Sequence, residues 1–174
     1  MSEDLLALSR RRKIFEYISK FPGTYLREME KELSLSVGDL QYHLHQLEKG
    51  GLISYHREGR RKRYFAREEV RFIDREILSL MRTKTLRRIV IFLLINPHSS
   101  FKEILAQFNF TKGALSFHLK KLMSTEIVIK GKRENESIYT IMDPGRVKKI
   151  LITYKSSIMD ETMDGFIDLW TKIG

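Results

Sequence analysis

The stretch from Tyr55 to Arg67, YHREGRRKRYFAR, carries six Lys or Arg residues and one Glu, a local charge of +5. Arg57, Arg60, Arg61, Lys62 and Arg63 surround Gly59, and Tyr64 and Phe65 follow. This pattern predicts two short strands joined by a charged turn. Cations on such a turn can track the phosphates of a nucleic acid or enter a minor groove, where Arg is favoured. A solvated loop would not need this density of Arg. Just upstream, Val37–Lys49 reads as a helix, with Leu40, Leu44 and Leu47 at i, i+4 and i+7 on one face. Its opposite face holds Gly38, Gln41, Tyr42, His45 and Lys49, flanked by Gln46. Gln can bond bidentately to adenine, and an aromatic edge can meet a thymine methyl.

The same arrangement recurs. Shifted by 75, residues 12–66 align with 87–141 without a gap. The identities are Arg12/Arg87, Ile14/Ile89, Pro22/Pro97, Glu28/Glu103, Gly38/Gly113, Leu40/Leu115, His43/His118, Leu44/Leu119, Leu47/Leu122 and Tyr64/Tyr139. They fall at apolar, capping and turn positions, which two copies of one fold would share. The second helix places Ser116, Phe117, Lys120 and Lys121 on its outer face, and Lys112 near its start. The second turn, Lys130–Ser137, mixes Lys130, Lys132 and Arg133 with Glu134 and Glu136. Its acids would face phosphate, so the first copy is the stronger candidate reader. The second would bind more weakly or serve assembly.

Each copy reads as helix, helix, helix and two-stranded hairpin. The first helices are about 11–20 and 86–95, each ending at a Pro turn. Short second helices follow at 26–33 and 101–108. Ser36 and Thr111 can cap the third helices by accepting a backbone N–H. The hairpin strands are 52–57 with 62–65, and 127–132 with 137–141. Glu68–Arg82 is helical by pattern, and Asp143-Pro144 starts a C-terminal helix, with Gly165 a candidate break. The expected organisation is a first domain over 1–66, a linker helix over 67–83, a second domain over 84–142 and a C-terminal helical segment over 143–174. The fold class is mainly α with small β-hairpins (α+β): two tandem winged helix-turn-helix domains.

Composition narrows the function. The 174 residues carry 32 Lys+Arg against 22 Asp+Glu, a net charge of +10, which favours a polyanionic partner. Positive charge is concentrated in the middle, +8 over residues 84–133, while residues 156–174 hold four acids and one Lys. Cysteine is absent, which excludes disulfides, thiolate zinc sites and cysteine nucleophiles. The longest apolar run, Ile89–Ile95, is far short of the roughly 20 residues a membrane span needs. The N-terminus lacks the charge order of a signal peptide. No Gly-rich phosphate loop, HExxH, GxSxG or paired-carboxylate motif is present, so an enzyme is not expected. His43 and His118 recur beside the leucine stripe, as hydrogen-bonded packing residues. His43 and His45, two apart on a helix, do not face one metal site. Gly38 and Gly113 are costly inside a helix. A close backbone approach, to phosphate or to a packed helix, and a flexible first turn are both open readings.

The run SVGDLQYHLHQLEKGGLI (Ser36–Ile53), followed by REGRRKRYF, resembles the winged-helix domains of archaeal transcription regulators related to the ArsR and MarR families. TKGALSFHLKKLMSTEIV (Thr111–Val128) is a looser version. The resemblance implies a sequence-specific, dimeric DNA-binding transcription factor, cytoplasmic and nucleoid-associated. Without cysteines, the metal sensing of part of that group does not carry over, and no cofactor is implied. The base-reading set is then Gln41, Tyr42, His45, Gln46, Ser116, Phe117, Lys120 and Lys121. The backbone set is Ser36, Lys49, Arg57, Arg60, Arg61, Lys62, Arg63, Lys112, Lys130, Lys132 and Arg133. The expected partners are double-stranded DNA and a second copy, joined through the linker or C-terminal helices. A protein-interaction adaptor of the transcription machinery is the alternative. RNA binding ranks below it, because an outward aromatic platform is not evident from the sequence.

Overall fold

Ser9–Lys20 forms α1, Leu26–Leu33 α2 and Val37–Lys49 α3, followed by the strands β1 (Ile53–Glu58) and β2 (Arg61–Ala66). The structure, a computed structural model, describes residues 8–67 and 72–158. After α4 (Phe72–Met81) the same order repeats as α5 (Lys84–Ile95), β3 (Ser99–Ser100), α6 (Phe101–Gln107), α7 (Lys112–Met123), β4 (Val128–Arg133) and β5 (Glu136–Ile141). The chain continues into α8 (Pro144–Thr153) and α9 (Lys155–Ile158). The α+β class and its tandem repeat are therefore as the sequence predicts.

Two compact units divide the chain. Among the described residues, the first comprises 8–67, 72–79 and 154–158, and the second 80–153. The first unit thus extends beyond the expected boundary at residue 66. Arg75 of α4 is the physical reason. Its guanidinium donates to Ser54 Oγ at 2.6 Å and to the Arg67 carbonyl at 3.0 Å, and lies 5.7 Å from the Phe65 ring. In α9, Ser157 Oγ donates to the Pro22 carbonyl at 2.6 Å, so this part of the C-terminal segment packs on the first unit. Asp143 caps α8 by accepting from the Arg146 N–H at 2.9 Å. The candidate break at Gly165 lies outside the described residues.

The core of the first unit is Ile14, Ile18, Met29, Leu40, Leu44, Leu47, Ile53 and Tyr64. Adding 75 gives Ile89, Leu93, Ile104, Leu115, Leu119, Leu122, Val128 and Tyr139, and every one is buried. The repeat is therefore a repeat of core positions. Two identities differ most in burial: Arg12 is exposed and Arg87 buried, while Pro22 is buried and Pro97 exposed. These identities mark no shared core position.

Caps set the helix starts. Ser36 Oγ accepts from the Asp39 N–H at 3.1 Å, and Thr111 Oγ1 from the Ala114 N–H at 3.2 Å. Glu103 accepts from the Ser100 N–H at 2.6 Å while Ser100 Oγ accepts from the Glu103 N–H, a reciprocal capping box for α6. These hydrogen bonds hold the Glu103 carboxyl below its ordinary pKa. Glu28, its counterpart, accepts from Thr24 Oγ1 and the Tyr25 N–H. A feature absent from the sequence reading is a third short strand. β3 pairs with β5 through Ser99↔Tyr139 and Ser100↔Ile138, giving the sheet order β3-β5-β4. In the first unit, Thr24 makes the matching antiparallel bridge to Tyr64.

Candidate nucleic-acid interface

The β1–β2 hairpin pairs Tyr55 with Tyr64, Arg57 with Lys62 and Glu58 with Arg61, leaving Gly59 and Arg60 as its turn. Gly59 has φ +59°, a conformation that glycine adopts without steric cost. Side chains alternate across a strand. One face therefore carries Tyr55, Arg57, Lys62 and Tyr64, with Lys62 Nζ 3.9 Å from the Tyr55 ring centre and the Arg57 guanidinium 5.7 Å from it. Burial, then the Glu48 carboxylate, push the Tyr64 phenol up to about 12.

A groove of about 530 Å³ runs between this hairpin, α3 and the start of α2. Gln41 and His45 line it from α3, and Arg60, Arg61 and Lys62 from the hairpin. Tyr25 and Arg27 line it from α2, with the Arg61 guanidinium 5.3 Å from the Tyr25 ring. Glu48 is the acid of this groove, 3.7 Å from Lys62 Nζ. Tyr42 and Lys49 are exposed on α3, and Gln46 is half-buried. Tyr25 and Arg27 are additions that the sequence reading missed. No local spacing marks them, because this helix start meets the groove only in the folded chain.

The second unit distributes its charge differently. Relative to Arg60, Arg61 and Lys62, the positions 75 residues on are Asn135, Glu136 and Ser137. Lys130, Lys132 and Arg133 instead lie along β4, all exposed. Glu136 is 3.9 Å from Lys102. On α7, Lys112, Phe117 and Lys120 are exposed, whereas Ser116 and Lys121 are half-buried.

Comparison with known proteins agrees with this architecture copy by copy. The model of an N-terminal HTH domain matches residues 8–78. The model described as bacterial regulatory protein, arsR family, matches residues 83–130. The chain is a tandem winged-helix protein whose second copy is similar to the arsR family of regulatory proteins. It is also 32% identical, over 141 residues, to an uncharacterized HTH-type transcriptional regulator of Methanocaldococcus jannaschii. That alignment covers 80% of this chain and 35% of the relative, so the chain spans about a third of that protein's length.

In winged-helix terms, α3 and α7 are the recognition helices and the two hairpins are the wings. Two residues of the expected backbone set already have partners within the chain. Arg63 is buried, with only 5% of its side chain exposed. Its Nε and Nη2 each lie 3.0 Å from Glu58 Oε2, and its Nη1 donates to the Gly23 carbonyl at 3.3 Å. It is a structural cation that holds the wing to the Pro22–Gly23 turn, not a phosphate contact. Ser36 is likewise committed: besides capping α3, its hydroxyl donates to Asp39 Oδ2 at 3.1 Å.

The recurring histidines sit as packing residues, with one difference from expectation. His43 is buried, but its Nδ1 has no hydrogen-bond partner among the described residues. Desolvation, then the charge of Arg11, lowers its pKa, and desolvation followed by Lys121 lowers that of His118. Among the described residues, no three His, Asp or Glu side chains are grouped so as to hold a metal. No helix among them is long and apolar enough to cross a membrane.

Proposed function

We propose that the chain is a double-stranded DNA-binding transcription regulator whose first winged-helix domain is the main reader. One observation carries this reading: a single groove is lined by Gln41 and His45 from the recognition helix and by Arg60, Arg61 and Lys62 from the wing. Polar groups able to meet base edges thus stand beside cations able to meet phosphates, the division of labour that sequence-specific binding requires. Tyr42, Gln46, Lys49 and Arg57 extend the surface on the same two elements. The HTH family matches and the regulator relative support this function. In the second domain, Ser116, Phe117, Lys120 and Lys121 form the corresponding helix face, with Lys112, Lys130, Lys132 and Arg133 as its cations. The acidic turn makes that domain the weaker duplex binder. Two copies of the chain pair, through apolar residues of the C-terminal segment, to present two readers.

The test is binding to random-sequence duplex across a salt series, with wild type against Arg60→Ala/Arg61→Ala. Arg63 is left intact so that the wing stays folded. Each lost phosphate contact flattens the slope of log affinity against log salt by about 1, so the double variant should be shallower by about 2. An unchanged slope, or no duplex binding by the wild type at low salt, would overturn the assignment of the wing.

A further inference from the structure

We propose that the second domain binds single-stranded nucleic acid, stacking an unpaired base on Phe117 while neighbouring cations hold the strand. This goes beyond the duplex reading and uses a different domain. The structural basis is a row of rings. Phe92 and Phe108 lie 5.8 Å apart edge to face, and Phe108 and Phe110 stack at 5.2 Å with planes 16° apart. Phe110 is 5.6 Å from His118, and His118 is 5.7 Å from Phe117. The row runs from the half-buried Phe92 through the buried Phe108 to Phe117, which is 66% exposed, the most exposed large hydrophobic side chain among the described residues.

The first domain does not build this row. At the positions 75 residues earlier, Phe108 and Phe110 are Leu33 and Leu35. The second domain therefore has aromatic rings where the shared fold accepts leucine, and they lead to the surface. Lys120 and Lys121 follow Phe117 by three and four residues, the spacing that places side chains on one helix face. At the other end of the row, the exposed Arg88 has its guanidinium 5.3 Å from the Phe108 ring.

An aromatic face flanked by cations fits a base and its phosphates, and stacking tolerates any base because each has a π-face. A duplex fits this surface less well. Its bases are already stacked on one another, and the second wing sets Glu134 and Glu136 beside Lys130, Lys132 and Arg133, which opposes a second backbone there. A single strand presents its bases free and has no second backbone to be repelled.

The experiment is fluorescence anisotropy with labelled oligo-dT, oligo-U and a hairpin duplex, using the full-length chain. Wild type should bind a single strand, and Phe117→Ala should weaken that binding about tenfold or more. Phe117→Trp should retain it. Phe117→Ala should cost far more single-strand than duplex affinity, whereas Arg60→Ala/Arg61→Ala should lose duplex and keep single-strand affinity. The ratio of oligo-dT to oligo-U affinity identifies DNA or RNA as the source of the strand. Equal single-strand affinities for wild type and Phe117→Ala, or no binding of either oligonucleotide, would overturn the proposal. An equal fold-loss of duplex and single-strand affinity in Phe117→Ala would also overturn it, because Phe117 would then show no preference for an unpaired base. A failed duplex reading shows separately, as absent wild-type binding to the hairpin.

Discussion

Lys62 and Arg63 are neighbours in sequence and carry the same charge, yet they end on opposite faces of one strand. Lys62 borders the groove, while Arg63 is buried against Glu58 and the Gly23 carbonyl. Arg63→Ala would remove the guanidinium that pairs with the mostly buried Glu58 carboxylate and donates to the Gly23 carbonyl. Removing one member of a buried ion pair costs about 3 kcal/mol. Thermal or urea unfolding of Arg63→Ala should show a loss of that order, whereas Arg60→Ala should unfold like wild type. Equal stability of the two variants would contradict the structural role of Arg63. Alternation along the strand separates Lys62 from Arg63, but Arg61 shares the parity of Arg63 and still reaches the groove. The partner of Arg63 was not legible in the sequence. Gly23 lies 40 residues upstream, and only the folded chain brings its carbonyl to Arg63.

At the scale of elements, both recognition helices carry glycine in the first turn. A Cβ on Gly113 would meet nothing within 4 Å, and one on Gly38 would meet only Ser36 Oγ, at 3.9 Å. Neither residue has the positive φ that favours glycine. Among the described residues, no other helix packs closely at either position. We propose that Gly38 admits close approach of a DNA backbone. Gly38→Ala should stabilise the fold by about 0.5–1 kcal/mol and weaken duplex binding several-fold. Melting and anisotropy on the same sample check both. A stabilised variant with undiminished affinity would leave the first-turn glycine without a binding role. The three helices and two hairpins of each copy were visible as periodicity. β3 was not, because two residues are too short to show a period, and only its pairing with β5 makes it a strand.

At the scale of the whole molecule, the question is how two copies of the chain would meet. The apolar C-terminal segment prompted that expectation, but its first part is satisfied within the chain. Val147, Ile150 and Leu151 of α8 are buried, and Ser157 is bound to Pro22. The pairing proposal therefore rests on Met163, Phe166, Ile167 and Trp170, which lie outside the described residues. Trp170 is the single tryptophan, so it reports on the segment directly. Sedimentation equilibrium should give twice the 20.6 kDa chain mass, and Trp170 emission should shift to the blue as concentration rises. A 20.6 kDa species at every concentration would exclude a homodimer.

By itself the sequence determined the duplicated architecture, the buried leucine stripes, the caps at Ser36 and Thr111 and the cationic hairpin. Each is written within a few neighbouring residues, either as a hydrophobic period or as a side chain beside the backbone group it satisfies. Tertiary structure alone decided which cations face the groove and which is locked inside. It also brought Tyr25 and Arg27 to that groove, and joined five rings into a row ending at Phe117. Those outcomes depend on strand register and on contacts between elements distant in the chain. Composition and spacing cannot encode them until the core has brought the elements together.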